Sequence, residues 1–475
     1  MIHKLIILSV FSLVQLTYSQ WQPDVRLTYA PGVSEMSYGG RSIAVNGNTI
    51  HIAWADFRDG GNPEIYYKSS TNAGITWFSD TRLTNTSPYS SFPSIAVSGS
   101  SVHIVYTEGS NQIRYLYSLN GGFSWVGTTL TMNSNSIWDS PTLAIEGQRL
   151  YVVWSLNVSG SPIYYMLSTN GGANWSGATA LTNSSGRCYS PSIAASGMDV
   201  HLAWTDTRNG VREVFYKRST DGGFFWGVDT RIIYVSTLNY YPSIAAAGDI
   251  IYLVWEDSRN GSEIYYTRSG NRGVFWSPEI RLTNAPGTST VPHISVSSSY
   301  VHLVWRDSRS GNYEIYHKLS SDGGLSWGTT DTRLTIDPAN SESPSLGISG
   351  SILHVVWDDN RDGNSEIYYK RNPTGNPVGI TPVNSEIPDE FSLEQNYPNP
   401  FNPTTNVKFQ ISKSSQVKLT VYDILGKEAA ILANERLNPG TYEVEWNASS
   451  FPSGVYFYTL KAGYFSETKK LVLLK

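Results

Sequence analysis

The sequence predicts an all-β chain whose main domain is a seven-bladed β-propeller, and three observations lead to this prediction. Aromatic residues make up 13% of the 475 residues and charged residues only 15%, with 41 glycines, as is typical of a turn-rich β protein. Seven apolar runs end in Trp or Tyr at intervals of 52, 48, 50, 51, 50 and 52 residues, a period found in propellers and β-solenoids. Within each interval the pattern is that of several short strands. The repeated residues are Trp54, Tyr106, Trp154, Trp204, Trp255, Trp305 and Trp357.

The first repeat shows the strands of one blade in order. Residues 42–45 form a short apolar strand, an Asn-Gly-Asn turn follows, and residues 50–54 form a second strand. Residues 64–67 supply a third strand and residues 82–84 close a fourth. Four short antiparallel strands are the content of one propeller blade, which favours a propeller over a solenoid.

A tight turn recurs between the third and fourth strands of six repeats. It has the form Ser-x-Asp-x-Gly-x-x-Trp, with Asn replacing Asp in some copies. The Ser and Asp or Asn side chains accept hydrogen bonds from their own turn, and Gly supplies a positive φ. We expect the Trp to pack under the blade. Examples are Ser70, Asn72, Gly74 and Trp77, then Ser219, Asp221, Gly223 and Trp226, then Ser320, Asp322, Gly324 and Trp327.

On these turns the chain resembles the sialidase-like superfamily of propellers with Asp-box, or BNR, repeats. The resemblance implies that the boxes are structural and lie on the face opposite an active site. It does not by itself imply an activity.

The seventh repeat lacks an Asp box, and the missing part is found at the other end of the chain. Residues 21–28 match residues 77–84 position for position, with Trp, Asp, Arg, Leu and Thr in common. We therefore predict that the N-terminal segment is the outer strand of the last blade and closes the ring. Closure leaves no exposed sheet edge, and it gives seven blades rather than the six usual in sialidases.

The two ends of the chain predict export. Residues 1–19 combine Lys4, a 12-residue apolar run and a small-residue end, which is typical of a signal peptide. We place the propeller at residues 20–371, a Pro-containing linker at 372–388 and a small Ig-like β-sandwich at 389–475.

The last domain resembles the type A sorting domain of the type IX secretion system. The resemblance rests on the Tyr-Pro-Asn-Pro-Phe-Asn-Pro segment at 397–403, on Tyr-Asp-Ile-Leu-Gly at 422–426, and on a Lys-rich last strand. It implies the type IX machinery as a partner. It also implies secretion to the medium or the cell surface of a Bacteroidota-type bacterium.

Several classes of function are disfavoured by the composition. A net charge of −5 gives no support for a nucleic-acid partner, and nothing in the sequence predicts a cofactor. Five of the eight histidines share one repeat position, where two blades carry Tyr, so packing is favoured over metal binding. The calcium-like stretch at 358–363 lacks the acidic residue expected at its twelfth position, so we expect no metal. Cys188 is expected to be a buried, unreactive side chain, and the protein a monomer.

Charged residues recur together in five blades. Each carries Asp-x-Arg after the repeated Trp, Glu at the start of the third strand, and Arg in the fourth strand. Blades two and three lose the Glu and the outer Arg together, having for example Gln112 and Thr129. We therefore predict one ion network within each of the five blades, with a scaffold role.

Residues that break the repeat lie in the loops that lead to the inner strands. Six repeats have Pro at the start of that strand, whereas the first has Arg41. These loops meet at the mouth of the ring, and their aromatic and charged side chains are suited to a sugar. The alternative is that connecting loops simply vary. The candidates are Tyr38, Arg41, Trp138, Asp139, Arg187, Tyr189, Tyr240, Tyr241 and Glu342.

Two functional hypotheses follow. The first is a secreted or surface-displayed propeller that binds a glycan or protein ligand and has no catalytic centre. The second is an exo-sialidase-type glycoside hydrolase, with Arg41 and Arg187 on a carboxylate and a Tyr/Glu pair for covalent catalysis. Seven blades, the absence of Arg-Ile-Pro and the lack of three central arginines count against the second. No residue is assigned a catalytic role from the sequence.

Overall fold

The computed structural model is an all-β propeller of seven antiparallel sheets followed by a β-sandwich. It describes residues 21–37, 41–133, 135–137, 141–158, 160–233, 237–329, 331–350, 352–373, 381–384, 388–437, 439–448 and 451–474. The expected signal peptide and the candidates Tyr38, Trp138 and Asp139 lie outside these residues. No helix in the described part of the chain is long and apolar enough to span a membrane.

Each blade contains four strand positions from the centre of the ring outwards. The inner strands are Ile43–Asn46 (preceded by Ser34–Glu35), Ser90–Ser98, Thr142–Glu146, Cys188–Ser196, Asn239–Ala247, Ser289–Ser297 and Ser341–Ser349. The second strands are Thr49–Asp56, Ser101–Glu108, Arg149–Trp154, Asp199–Asp206, Ile250–Asp257, Tyr300–Asp307 and Ile352–Asp359. The third strands are Glu64–Ser70, Gln112–Ser118, Tyr164–Ser168, Glu213–Ser219, Glu263–Ser269, Glu314–Ser320 and Glu366–Asn372. The outer strands are Thr81–Arg82, Val126–Met132, Thr179–Ala180, Thr230–Arg231, Ile280–Arg281, Thr332–Arg333 and Val25–Arg26.

The hydrophobic core lies between neighbouring blades rather than within any one of them. One cluster, for example, joins Ile65 and Tyr67 of blade one to Ile95, Val102 and Ile104 of blade two. The Trp of each repeat is fully buried in such a layer. This explains the period seen in the sequence, because every blade must present one apolar face to each neighbour.

The ring closes through the N-terminal strand, as predicted. Val25 pairs with Tyr369 and Arg26 with Tyr368 in an antiparallel ladder. The backbone N–H of Gln22 donates to the carbonyl of Arg371 at 2.9 Å, and Leu27 is buried against the last blade.

The tight turns have the hydrogen bonds that the sequence predicts. In blade one the N–H of Gly74 donates to Ser70 Oγ at 2.9 Å, and the N–H of Thr76 donates to Asn72 Oδ1 at 2.9 Å. Trp77 packs edge-on against Tyr369 of the preceding blade, with ring centroids 4.9 Å apart. A Cβ at Gly74 would overlap the Tyr369 ring, so this glycine is required by packing between blades as well as by its φ of 78°.

The repeated histidines are buried hydrogen-bond partners, which confirms the packing interpretation. His51 Nδ1 lies 2.6 Å from the Tyr67 hydroxyl, and equivalent pairs occur in blades two, four and seven at 2.7 Å. In blade six the partner is His317. Burial lowers the pKa of His51 to about 4, because the protonated ring would lose its hydration. We call these contacts the buried His–Tyr pairs.

The charged residues of the repeat pair within blades as predicted, but they form two groups rather than one network. In the first group, the Arg82 side chain runs back along the sheet from its ladder position opposite Tyr66 to reach Glu64. A second group joins Arg58 to Asp56 and Asp80. The Glu–Arg pairs are Glu64–Arg82, Glu213–Arg231, Glu263–Arg281, Glu314–Arg333 and Glu366–Arg26.

Two smaller expectations can be compared with the structure. Cys188 is buried in an inner strand, and burial raises the pKa of its thiol to about 12, so it is unreactive as expected. In the calcium-like stretch, Asp362 pairs with Arg26 at 3.1 Å and Asn360 accepts from the N–H of Asn340 at 2.8 Å. These side chains therefore serve separate contacts within the blade.

The C-terminal domain consists of two four-stranded sheets. The linker expected over residues 372–388 is wrong in part, because Asn372 ends a propeller strand and Thr381–Asn384 is an edge strand of the sandwich. Pro382 is accommodated there because an edge strand need not donate on both sides. One sheet contains Thr381–Asn384, Gly440–Asn447, Thr404–Ile411 and Ser392–Leu393, and the other contains Glu428–Leu437, Ser415–Tyr422, Gly454–Ala462 and Phe465–Leu473.

Candidate functional site

The mouth is the end of the propeller where inner strands begin and second strands end. The Asp-box turns follow the third strands and therefore lie at the opposite end, in agreement with the resemblance. In five blades the inner strand bends at the mouth through a bulge. The bulge residue directly before the repeated Pro has a positive φ. Such bulges re-aim neighbouring side chains, here around the opening. The bulge residues are Phe92, Ser190, Tyr241, Val291 and Ser343.

Charged side chains from four consecutive blades meet along one side of the mouth. Just before their last residue, the second strands of blades five, six and seven carry Glu256, Arg306 and Asp358. Glu342 lies directly across the strand pair from Asp358, and Glu35 comes from the first strand of blade one. We call these five residues the charged arc.

Contacts within the charged arc cross from blade to blade. The Arg306 guanidinium donates to Glu342 Oε2 at 2.6 Å and to Thr290 Oγ1 at 2.8 Å. It also lies 4.5 Å above the ring of Tyr313. These contacts hold Arg306 between a carboxylate and an aromatic face, which orients a planar fork of donors at the opening.

Burial raises the pKa values of three carboxyl groups of the charged arc, namely Glu35, Asp358 and Glu256. Burial raises the pKa of Asp358 to about 7, and the negative charges of Glu342 and Glu35 act in the same direction. Burial also raises the pKa of Glu256 to about 6, although Arg306 opposes the shift. Asp358 and Glu256 can therefore exchange a proton near neutral pH, which is the property required of a general acid or base.

An aromatic group lies on the neighbouring blades four and five. The Arg212 guanidinium is 4.2 Å from the ring centre of Tyr189 and 4.7 Å from that of Tyr240, so it is held between the two rings. Tyr241 follows, with its ring centre 6.2 Å from that of Tyr240. We call these four residues the aromatic shelf. Tyr240 and Tyr241 are partly exposed and offer ring faces to solvent.

The remaining candidates are placed differently. Arg41 lies in the channel beneath the mouth, where its Nη2 donates to the carbonyl of Ile244 at 3.3 Å. The backbone of Arg187 pairs with Thr207 at the rim of blade four. The structure thus brings Tyr189, Tyr240 and Tyr241 together in the shelf and places Glu342 in the arc, while Arg41 and Arg187 stand apart.

Sequence reasoning missed most of the charged arc and one member of the shelf. Glu256, Arg306 and Asp358 all occupy the position between the repeated Trp and the repeated Asp. That position holds Ala, Thr or Ser in the other four blades, so it varies more than its neighbours do. Comparing each repeat position in turn would have found these three residues.

The described residues contain no group of three or more His, Cys, Asp and Glu side chains arranged to hold a metal ion. The charged arc itself mixes carboxylates with an arginine. In chemical terms the mouth can stack against a ring, accept from hydroxyls through its carboxylates, and donate to an anion or hydroxyl through Arg306.

Comparison with protein families identifies the C-terminal domain. Residues 395–474 match the family described as "Secretion system C-terminal sorting domain". The chain is therefore a β-propeller that carries a secretion-system sorting domain at its C-terminal end. The sorting domain implies interaction with the type IX secretion machinery and export to the medium or the cell surface, as is typical of Bacteroidota.

Solved structures share the propeller fold at low sequence identity. A polysaccharide lyase of family PL25, titled ulvan lyase, matches with a TM-score of 0.53 and 10% identity, over 73% of this chain and 95% of its own. The same enzyme bound to -[GlcA(1-4)Rha3S]- gives 0.52 with the same identity and coverage. The polysaccharide lyase Uly1 gives 0.53 at 12% identity, over 74% and 99% of the two chains. Among curated proteins none matches.

Proposed function

We propose that this chain is an exported protein that binds a glycan at the mouth of its propeller. The observation that carries the proposal is the juxtaposition of the aromatic shelf and the charged arc on one open face. Ring faces of Tyr240 and Tyr241 are suited to the apolar faces of pyranose rings, and carboxylates and Arg306 to hydroxyl groups.

Two further observations support a glycan over a protein ligand. The proteins that share this fold include polysaccharide lyases, one of them solved with a bound saccharide. The aromatic shelf and the charged arc also present separate polar groups around aromatic rings. A protein partner would be expected to cover a more continuous apolar surface at the centre of its interface. An exported monomer with its sorting domain at the surface would meet such glycans outside the cell.

The proposal can be tested by binding measurements on the mature chain against a panel of polysaccharides and oligosaccharides. Tyr240→Ala should weaken the best ligand about 5- to 150-fold, which corresponds to roughly 1–3 kcal/mol for a buried aromatic contact. Trp138→Ala, on the loop into blade three, is expected to act similarly. Phe225→Ala is the matched control, because Phe225 is 81% exposed on the Asp-box face.

The result that contradicts the proposal is equally specific. If Tyr240→Ala binds as tightly as the native chain, or if Phe225→Ala weakens binding as much, the ligand does not use the mouth. A panel in which only proteins bind would favour the protein-ligand alternative.

One observation favours a second candidate, hydrolysis of the bound glycan. Asp358 and Glu256 both have pKa values near neutrality in the mouth, and Asp358 lies across from Glu342. A pair of neighbouring carboxyl groups, one of them with a raised pKa, is the arrangement used in glycoside cleavage. The mature chain should then release reducing ends from its ligand, and Asp358→Asn should abolish that release while binding persists. The sialidase form of this hypothesis is tested with a fluorogenic sialoside.

A further inference from the structure

A cavity of about 260 Å³ lies on the axis of the propeller, below the mouth. Inner strands of all seven blades line it, and most of the lining side chains are Ala, Ile and Val. The cavity is therefore a channel lined mainly by small aliphatic side chains, with Arg41 and His293 as its two large polar side chains.

The charges in the channel do not balance. Arg41 is the one formally charged residue in the lining, and no carboxylate is among the described residues that line it. Its guanidinium has five N–H donors, and among the described residues its hydrogen-bond partner is the carbonyl of Ile244. Burial lowers the pKa of Arg41 to about 10, since the cation has lost hydration without gaining an opposite charge.

His293 adds a second donor to the channel. Its Nδ1 accepts from the N–H of Leu346 at 3.3 Å, and burial and the nearby Arg41 lower its pKa to about 3, so the ring is neutral. A neutral imidazole that accepts at Nδ1 carries its proton on Nε2. The residue is 8% exposed, and the Nε2–H is therefore a buried donor in the same region as the guanidinium.

The repeat shows that a scaffold role does not require either residue. The other six blades have Pro at the position of Arg41, and Ser or Thr at the position of His293. In blade two Ser94 Oγ accepts from the N–H of Leu143 at 3.2 Å, which is the same bond between blades that His293 makes. A serine at this position thus accepts from the backbone N–H of the neighbouring blade as well as a histidine does. What the histidine adds is its Nε2–H, which can donate a hydrogen bond.

We propose that the channel binds a small anion between Arg41 and His293. A halide or a compact oxyanion such as sulfate supplies the negative charge that is missing beside the Arg41 cation, and it accepts hydrogen bonds from both donors. The described lining holds no carboxylate to attract a cation and no Trp, Tyr or Phe ring to stack on a sugar. This inference is independent of the proposed glycan function, because it concerns the axis rather than the shelf and arc.

The direct test uses bromide, which scatters anomalously. Crystals of the mature chain soaked in sodium bromide should show an anomalous peak beside Arg41, and sulfate should compete with it. In solution, the melting temperature should rise with sodium bromide relative to sodium gluconate at equal ionic strength, because an anion that binds only the folded chain stabilises it, and gluconate is a bulky, strongly hydrated anion rather than a compact one. A channel without a peak, with bromide only on the outer surface, overturns the proposal.

Variants separate the site from general salt effects. Arg41→Met should remove the peak and raise the bromide Kd at least tenfold. His293→Ser restores the residue type of the other blades, keeps the bond to Leu346, and should weaken bromide several-fold even if Arg41→Met does not fold. Arg187→Met is the control, since Arg187 is an arginine at the rim, and it should leave the response unchanged. An equal bromide response in the native chain and His293→Ser would overturn the role of His293, and an equal response in Arg41→Met would overturn the site.

Discussion

The Glu263–Arg281 pair of blade five provides a quantitative test of the ion network. Glu263 is almost fully buried and accepts from Arg281 at 2.5 Å and from the Thr283 hydroxyl, whereas the Arg281 side chain is 28% exposed. The structure therefore predicts unequal costs for the two halves of the pair. Removing the arginine leaves a buried carboxylate without its cation, while removing the charge of the glutamate leaves an arginine that water can reach.

The magnitudes follow from that asymmetry. Breaking a fully buried pair costs about 3–5 kcal/mol, and the exposure of Arg281 reduces this to about 2 kcal/mol for Arg281→Thr. Glu263→Gln keeps the size of the side chain and should cost about 1–2 kcal/mol. The double variant should cost about 1 kcal/mol less than the sum, because the two residues share one interaction.

The assay is urea unfolding of the mature chain, followed by tryptophan fluorescence and by circular dichroism. The double variant gives blade five the residue types that blade two carries at Gln112 and Thr129, so it should fold and serve as the internal control. Additive costs, or a larger cost for Glu263→Gln than for Arg281→Thr, would refute the reasoning about the buried carboxylate.

Three other predictions concern the scaffold. Deleting residues 20–28 removes the outer strand of blade seven and should lower the melting temperature of the propeller by several degrees or more; an unchanged value would refute ring closure. Gly223→Ala, whose methyl group would overlap Tyr165, should cost about 1–3 kcal/mol more in unfolding free energy than Gly171→Ala, which has a positive φ but open space. Each histidine of the buried His–Tyr pairs contributes to the free energy of unfolding because it stays neutral when folded. This contribution is fully present above about pH 6.5 and is lost as the pH falls from about 6.5 to 4, by about 1.4 kcal/mol per pH unit for each histidine. The reason is that in this pH range the unfolded chain binds protons that the folded histidine rings do not. The raised pKa values of Asp358 and Glu256 have the opposite effect, because these groups bind protons more tightly in the folded chain. Urea unfolding at several pH values measures the net change in stability.

The fold could be predicted from the sequence because each blade repeats the same residue types at the same positions. The Trp, the Asp box and the match of residues 21–28 to 77–84 determine the number of blades, the order of strands and the closing pair. The linker was predicted less well. Its prolines suggested irregular chain, but an edge strand tolerates proline, and pairing of Thr381–Asn384 with the sandwich prevailed.

The site was predicted only in part, for a physical reason. Tyr189, Tyr240 and Tyr241 lie at the bulged starts of inner strands, where the sequence visibly departs from the repeat. Asp358 lies beside the repeated Asp359 and looked like part of the scaffold. Its altered pKa depends on Glu342, across the strand pair, and on Glu35, which is more than 300 positions away in the chain. Such effects arise when blades are placed side by side, and a repeat pattern does not contain them.

Closure by the first strand also determines when the propeller can finish folding. Arg26 and Glu366, which join the ends of the ring, are 340 residues apart, and bringing such distant segments together costs about 5 kcal/mol of chain entropy. Until residues 366–372 have emerged, the six earlier blades form an open array whose last edge is unpaired. The next folded segment along the chain is the sorting domain at 395–474. The ring is thus completed only when almost the whole propeller segment has emerged, and a chain interrupted before that point keeps an exposed edge by which proteases and aggregation can remove it.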